Sequence, residues 1–339
     1  MVHILADHSG QGGNWWTHVA IAEAALRAGG DVSLLAPAGW ERIATDAVAA
    51  RVQLGMRWRR EPRVAIQACY AQNEITARRM VSDDGYVLLS LMQYGLVSHP
   101  RLIQYVHNPV ARAVAGSQRV GKALQAYTTW RSQGKARHAA EFGHDDGWFT
   151  WPHPVAPASF RPRPMSAPWA KSFPPRAAAL VFGRAASTEC LGTVSEWFLD
   201  LSPRHREALH LIVSRDSLDD RASTIVGGMK RAGVAVTIVP RFASDELDAV
   251  VRLASMVLLP YETHPASVSG VGIIATANGT PIVAGSAIDP GLACPPLALS
   301  GRGAQGIRNL LENYGPATEP IDIGELRSWG ERWLSLLAN

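Results

Sequence analysis

The sequence is poor in cysteine. Its 339 residues include three, Cys69, Cys190 and Cys294, and their wide spacing matches neither a disulfide framework nor a metal motif. This usage is typical of a reducing cytoplasm, where we expect the protein to be. The first ten residues, MVHILADHSG, predict a strand that runs into a loop. They lack the basic start and the long apolar region of a signal peptide.

A second absence is that of charge between Thr263 and Ile288, where no Asp, Glu, Lys or Arg occurs. The length alone would suit a membrane span. Glycines and prolines interrupt the run, however, and IIATA is a short apolar patch between turn signals. The stretch therefore predicts a buried element with a loop of small residues at each end.

A third absence is that of acidic residues between Gly85 and Ala140. Seven basic residues lie in this region, namely Arg101, Arg112, Arg119, Lys122, Arg131, Lys135 and Arg137. The pattern suits an anionic partner such as a phosphorylated substrate, a membrane surface or nucleic acid, and it equally suits an ordinary solvated face. Peripheral contact with the inner face of the membrane is consistent with the first reading.

Strand and helix patterns alternate along most of the chain, which predicts an α/β fold built from right-handed parallel units. A proline-rich segment divides the alternation into two halves of similar size. We therefore expect two Rossmann-like domains facing each other across a cleft, residues 1–155 and 177–320, joined by a linker at 156–176. Residues 321–339 predict an amphipathic helix that packs back toward the N-terminal domain.

Glycine-rich turns follow three of the predicted strands. They are Gly12-Gly13, Gly183-Arg184 and Ser269-Gly270-Val271. Because the carboxyl ends of parallel strands share one edge of a sheet with helix N-termini, such turns favour phosphate. None of them matches the dinucleotide fingerprint or a P-loop, which disfavours an NAD oxidoreductase and a kinase. Taken singly, Gly12-Gly13 and Gly270 are explained equally well as tight turns.

In chain order the turns and their flanking segments resemble the retaining glycosyltransferases of family 4, which have the GT-B fold and use nucleotide-sugar donors. The resemblance covers nearly the whole chain. Its most specific segments are GQGGNWWTHVAIAEAALRAGGDVSLLAP at the start and SVSGVGIIATANGTPIVAG near the end. Between them lie YVHNP, WPHPVAPASFRP, LVFGR and VTIVPRFASDELDAVVRLASMVLLPYE, which are similar to further parts of the family's pattern.

The resemblance implies roles for particular residues. Arg184, after Gly183, would neutralise the donor diphosphate, and His107 in YVHNP would touch the transferred sugar. The amides of Ser269, Gly270 and Val271 would meet the phosphates. The remaining implied contacts are Arg241 and Phe242 at the nucleotide base, Glu262 at the donor site, and Gly12, Gly13 and Asn14 in a loop on the acceptor side.

The chain also departs from the family's pattern. Ser187–Cys190 stands where the family has a lysine a few residues after the arginine. The two glutamates of the family align with Ala266 and Ile274, and Glu262 lies out of register with them. Another residue must therefore hold the ribose, or the nucleotide sugar is bound differently.

The expected function is transfer of a sugar from a nucleoside diphosphate, linked to uridine or guanosine, to an acceptor with retained configuration. The acceptor class stays open among lipid, protein, DNA and small molecule. No metal is expected, because cations and amides replace it and the sequence has no Asp-x-Asp pair. Two alternatives stay open, a sugar-nucleotide hydrolase or epimerase of the same fold and a catalytically silent binding protein.

Overall fold

The computed structural model describes residues 2–5, 13–35, 44–49, 52–53, 86–90, 102–106, 137–140, 149–150, 155–161, 177–262, 269–286, 299–313 and 323–338. The chain divides into two compact units. One comprises Met1–Pro154 together with Asp322–Asn339, and the other comprises Val155–Ile321.

The first unit contains a parallel sheet. Its strands in the described residues are β1 (Val2–Leu5), β2 (Val32–Leu35), β3 (Val52–Gln53), β4 (Tyr86–Ser90), β5 (Leu102–Val106), β6 (Arg137–Ala140) and β7 (Phe149–Thr150). Their order is β3-β2-β1-β4-β5-β6-β7, so the direction of winding reverses between β1 and β4. This order is that of a Rossmann-like fold.

Three helices of the first unit are described, α1 (Gly13–Arg27), α2 (Asp46–Ala49) and, from the end of the chain, α9 (Ile323–Ala338). The C-terminal segment forms helix α9, which packs against α1 and belongs to the first unit. Trp329 is buried in it, and a Cβ atom at Gly330 would lie 2.1 Å from the carbonyl oxygen of Ala24. The two helices therefore approach so closely that glycine is required at this position.

The second unit has a parallel sheet with the same winding. Its strands are β8 (Ala177–Val181), β9 (Leu209–Ser214), β10 (Ala235–Val239), β11 (Met256–Leu259), β12 (Ile282–Ala284) and β13 (Leu299–Arg302), in the order β10-β9-β8-β11-β12-β13. Val181 pairs with Val213, and Leu259 pairs with Ala284. Strands β8 and β11 are almost wholly buried, as parallel strands covered on both faces must be.

Helices connect these strands. They are α3 (Thr188–Leu199), α4 (Pro203–Ala208), α5 (Asp220–Arg231), α6 (Ser244–Leu253), α7 (Gly270–Ala277) and α8 (Gly303–Glu312). Apolar side chains of α3, α5 and α8 pack on one face of the sheet and form a buried core, with Phe198 and Met229 fully enclosed. The predicted α/β class with two Rossmann-like sheets is confirmed by the two strand orders.

Residues 155–161, which include the start of the linker predicted at 156–176, belong to the second unit. The backbone N–H groups of Ala158 and Ser159 donate to the buried carboxylate of Asp248 on α6, at 3.0 and 2.9 Å. The side-chain amide of Asn278 donates to the same carboxylate at 2.7 Å. Burial raises the pKa of Asp248, and these hydrogen bonds oppose the rise. The segment is thus fixed to the second unit by a fully buried anchor.

None of the helices in the described part of the chain combines the length and the apolar character needed to cross a lipid bilayer.

Candidate functional site at the switch point of the second sheet

The second sheet has one point at which its winding reverses, between β8 and β11. Successive strands run one way from β8 to β10 and the other way from β11 to β13. In open α/β sheets the crevice for ligands forms beyond the carboxyl ends of the two strands at such a point. The segments that leave those ends here are residues 182–187 after β8 and residues 260–262 after β11.

A pocket lies at this point. It is lined on the β8 side by Arg184, Ser187, Glu189, Cys190 and Thr193, and on the β11 side by Pro260, Tyr261 and Glu262. Two predicted site residues, Arg184 and Glu262, are therefore brought together although 78 positions separate them in the sequence.

A tight turn after β8 carries Arg184. Residues Gly183–Ala186 form one turn of 3₁₀ helix, and Gly183 has a φ of 58°, which favours glycine. Arg184 is exposed, and within the described part of the chain its guanidinium has neither an ion pair nor a hydrogen bond. An unengaged cation beside a pocket is suited to an anionic ligand.

Helix α3 begins immediately after this turn. Ser187 is its N-cap, and the hydroxyl oxygen accepts from the backbone N–H of Cys190 at 3.3 Å. The first turn also holds Glu189, which is exposed. The free N–H groups of a helix start carry partial positive charge, so this end of α3 adds to the attraction for an anion.

Cys190 is a buried free thiol in the pocket wall. Burial raises its pKa, the negative charge of Glu189 adds to the rise, and Ser187 and the positive charge of Arg184 oppose it. The thiol of Cys190 is thus under the electrostatic influence of both Glu189 and Arg184.

A hydrogen-bonded network supports the start of α3 from the neighbouring strand. Arg215, after β9, donates to the hydroxyl of Thr188 at 2.9 Å and to the carboxylate of Asp219 at 2.8 Å. The hydroxyl of Thr188 donates to Asp219 at 2.6 Å. The hydrogen bond from Thr188 is the main reason why the pKa of Asp219 is lowered to about 2. The network links the start of α3 to the start of α5, where Asp219 is the N-cap.

The third predicted turn, Ser269-Gly270-Val271, forms the start of α7. Ser269 is the N-cap, and its hydroxyl oxygen accepts from the N–H of Gly272 at 3.3 Å. A Cβ atom added to Gly183 would lie 3.4 Å from the Val271 side chain, so this helix start adjoins the turn that carries Arg184. Two of the three predicted glycine-rich turns therefore meet in the folded chain.

Tyr261 connects the end of β11 to the start of α7. Burial raises the pKa of its phenol to about 12, and a hydrogen bond with Ser269 opposes the rise. The ring is buried beside the pocket, where it stays neutral at physiological pH.

Glu262 is held by the loop after β12. One of its carboxylate oxygens accepts from the backbone N–H of Ser286 at 2.9 Å and from the hydroxyl of the same residue. The preceding residue, Gly285, is fixed in turn by Arg302, which donates to its carbonyl oxygen at 2.9 Å. The carboxylate therefore occupies a defined position at the pocket.

The predicted base contacts lie farther along the sheet. Arg241 and Phe242 follow β10, two strands away from β8, and they are absent from the described lining of the pocket. Arg241 is exposed and pairs with the carboxylate of Asp216 at 3.1 Å. Phe242 is half-buried.

The acceptor-side residues belong to the first unit. Gly13 and Asn14 are the first two residues of α1, whereas Gly12 and His107 lie outside the described residues. Their predicted roles stay predictions. Among the described residues, no group of three or more His, Cys, Asp or Glu side chains is placed to hold a metal ion.

Sequence reasoning did not select Glu189, Cys190, Tyr261 or Arg215. The first three could in principle have been predicted from the sequence, since each follows closely on an apolar strand that ends at the switch point. Arg215 could not have been predicted, because its role depends on hydrogen bonds to Thr188 and Asp219, which lie on two other elements.

Comparison with solved structures identifies the fold. No protein-family model matches the chain, and no curated protein matches it significantly. Solved structures of similar architecture include UDP-GlcNAc 2-epimerase from Neisseria meningitidis bound to UDP-GlcNAc, with 12% identity, a TM-score of 0.55, and coverage of 100% of this chain and 98% of that one. HepE from Anabaena in complex with UDP-glucose has 15% identity and a TM-score of 0.55, with 99% of this chain and 100% of that chain covered.

A further similar structure is WaaG, a glycosyltransferase involved in lipopolysaccharide biosynthesis. It has 12% identity and a TM-score of 0.55 over 100% of this chain and 95% of that chain. The likeness to all three extends over essentially the full chain, and it agrees with the two Rossmann-like sheets described above. The protein therefore has the GT-B fold.

Proposed function

We propose that the protein is a GT-B enzyme that acts on a nucleoside-diphosphate sugar and transfers the sugar to an acceptor. The observation that carries the proposal is an exposed Arg184 at the switch-point pocket, which is not engaged by any other residue in the described part of the chain and is flanked by the serine-capped starts of α3 and α7. A cation and two helix starts form an arrangement suited to a diphosphate. Similar structures are known in complex with UDP-glucose and UDP-GlcNAc, which supports the same class of ligand here.

The chemistry follows from the charge that develops as the glycosidic bond breaks. The diphosphate leaves with the electron pair of that bond, so negative charge grows on the oxygen that leaves. Arg184 and the N–H groups of Ser269, Gly270 and Val271 would stabilise that charge. In this proposal they do the work that a metal ion does elsewhere, and no metal is required.

The resemblance to family 4 supports transfer with retention. In the proposed front-face substitution, the phosphate oxygen takes the proton of the acceptor hydroxyl. His107 would contact the transferred sugar, and Gly12, Gly13 and Asn14 would line the acceptor side. Arg241 and Phe242 would reach the base, and Glu262 would contact the ribose or the sugar through its second carboxylate oxygen.

For the acceptor we propose only a chemical class. The acid-free region Gly85–Ala140 supports an anionic acceptor or surface, such as a phosphorylated metabolite or a lipid at the inner face of the membrane. Because the base of the nucleotide is not fixed by the pocket residues, both UDP- and GDP-linked sugars belong in the test.

The test is binding of nucleotide sugars to the whole protein and to an Arg184→Ala variant. Titration calorimetry should give a Kd for at least one UDP- or GDP-sugar with the wild type. Loss of Arg184 should weaken it at least 30-fold, on the order of 2 kcal/mol for a charge-assisted contact. Arg204→Ala is the matched control. Arg204 is exposed in α4, which immediately precedes β9 and therefore lies at the amino end of that strand, whereas the pocket lies beyond the carboxyl ends of the strands.

The control variant should bind like the wild type. Absence of binding to every nucleotide sugar would end the proposal, and equal binding by Arg184→Ala would remove the role assigned to Arg184.

A hydrolase or epimerase of the same fold is the second candidate, and the similar fold of UDP-GlcNAc 2-epimerase supports it. Incubation with the nucleotide sugar alone separates the two. Rapid formation of free sugar or of an epimer favours this candidate, whereas an intact nucleotide sugar that is consumed on addition of an acceptor favours transfer. A nucleotide sugar that binds and is never consumed would indicate a silent binding protein.

A further inference from the structure

The switch-point pocket contains opposite charges at neighbouring positions. Arg184 lies in the turn before α3, and Glu189 lies in the first turn of that helix. Both side chains line the same pocket. A carboxylate beside a phosphate site is unusual in physical terms, because like charges repel most strongly where water is partly excluded.

The thiol of Cys190 in the same pocket wall is influenced by both charges. Cys190 is the residue after Glu189, and it lines the pocket with both charged residues. Burial is the main cause of the raised pKa of this thiol, Glu189 raises it further, and Arg184 lowers it. A phosphate group close to this wall would likewise be attracted by Arg184 and repelled by Glu189.

The substrate and the product of sugar transfer differ in charge. In a nucleotide sugar the diphosphate carries two negative charges, since its terminal phosphate is esterified to the sugar. Transfer breaks the bond between the anomeric carbon and that phosphate oxygen, which keeps the electron pair. The acceptor hydroxyl passes its proton to that phosphate oxygen as it bonds to the sugar, and near pH 7.5 the phosphate releases this proton to solvent. The free nucleoside diphosphate therefore carries close to three negative charges near pH 7.5, because the second pKa of such a phosphate is about 6.

We propose that Glu189 is a specificity-determining residue that weakens the hold of the pocket on the nucleoside diphosphate product more than on the nucleotide-sugar donor. The inference rests on the proposed function, and it adds the discrimination between donor and product. Arg184 attracts both ligands and Glu189 repels both, and the repulsion is larger for the product because it carries one more negative charge. The consequence is faster release of product and weaker product inhibition.

The experiment compares two ligand pairs on three proteins by titration calorimetry at pH 7.5. The pairs are UDP-glucose with UDP and GDP-mannose with GDP, and the proteins are wild type, Glu189→Gln and Glu196→Gln. Glu196 is a matched control because it is exposed on the same helix and is not among the residues that line the pocket. Glu189→Gln keeps the size of the side chain and removes the charge.

We expect Glu189→Gln to strengthen binding of the free diphosphate about 3- to 10-fold, the range of one added charge interaction at a partly solvated site. Binding of the nucleotide sugar should strengthen by a smaller factor, because this ligand carries two negative charges where the product carries close to three. Glu196→Gln should change binding of neither ligand. A thermal unfolding curve for each variant shows whether it is folded.

Each of the remaining outcomes overturns either discrimination by Glu189 or the proposed function. Equal strengthening of both ligands, no change, or weaker binding of the nucleotide sugar by Glu189→Gln would each refute discrimination by Glu189. If the wild type binds neither member of either pair, the proposed function fails for these donors, and the inference fails with it.

Discussion

Two helices begin beside the same pocket, and their first turns differ. Helices α3 and α7 each have a serine N-cap whose hydroxyl oxygen accepts a backbone N–H at 3.3 Å. The first turn of α3 is Thr188-Glu189-Cys190, with a charged side chain that lines the pocket. The first turn of α7 is Gly270-Val271-Gly272, with no charge and no long side chain.

The difference indicates two ways of using a helix start. The small residues at α7 place no long or charged side chain at the helix start, whereas α3 has a charged side chain in its first turn. The surroundings agree with this division. Residues Val271–Ala277 are all buried, and α3 has an exposed face. Four predictions break or sharpen this comparison.

The largest effect is expected when the start of α7 is given a charge like that of α3. Gly270→Asp places a carboxylate where the proposal puts the phosphates, so the Kd for a nucleotide sugar should rise about 100-fold through repulsion and obstruction. Gly192→Asp is the matched control on α3, since a Cβ at Gly192 meets no atom within 4 Å. Titration calorimetry checks both, and a Gly270→Asp protein that binds normally would contradict the assignment of α7.

The two N-caps should differ in their contribution to stability. Ser187→Ala removes one cap and should lower the free energy of unfolding by about 1 kcal/mol. Ser269→Ala removes a cap and also the hydrogen-bond partner of the buried Tyr261, so about 2–3 kcal/mol is expected. Urea denaturation measures both values. Equal losses would mean that Tyr261 finds another partner, such as water.

The charges at α3 should be visible in the titration of Cys190. Because Glu189 raises the pKa of the thiol and Arg184 lowers it, Glu189→Gln should shift the pKa down and Arg184→Ala should shift it up. The pH dependence of alkylation by iodoacetamide, followed by peptide mass spectrometry, reports the shift. Shifts of the same sign in both variants would exclude the opposed influence of the two side chains.

The smallest effect is expected at Asp219, which supports α3 from an exposed position. Its folded-state pKa of about 2 lies below the ordinary value of 3.8, so its ionised form stabilises the folded state. That contribution is present above about pH 4 and is lost as the pH falls toward 2. Asp219→Asn should therefore flatten the pH dependence of Tm in this window, and an unchanged slope would show that the lowered pKa has no role in stability.

The fold could be predicted from the sequence to a large extent, because its signals are local. Continuous apolar runs such as MVLL at β11 predict buried strands. The proline-rich segment predicted as a linker at 156–176 begins next to the point where the chain passes from the first unit to the second, and it lies within the second. The amphipathic pattern at the C-terminus predicted helix α9. What such signals do not give is the pairing order of the strands, since this depends on contacts between distant segments.

The candidate site was predictable in part for the same reason. Gly183, Arg184 and Ser269–Val271 follow apolar strands, and their types suit phosphate, so they were found. Glu189 was seen only as a departure from the family's lysine, and its position beside Arg184 required the structure. The network of Arg215, Thr188 and Asp219 joins three elements, and no local pattern announces such an arrangement.

The central claim is that the phosphates of a nucleotide sugar occupy the pocket at the switch point of the second sheet. Cys190 lines that pocket, so the rate of its alkylation is a direct report of occupancy. With a saturating nucleotide sugar that calorimetry shows to bind, the account predicts at least about 5-fold slower modification of Cys190 in the wild type. The same ligand concentration should give little protection in Arg184→Ala. A nucleotide sugar that binds tightly while Cys190 reacts at an unchanged rate would contradict the account.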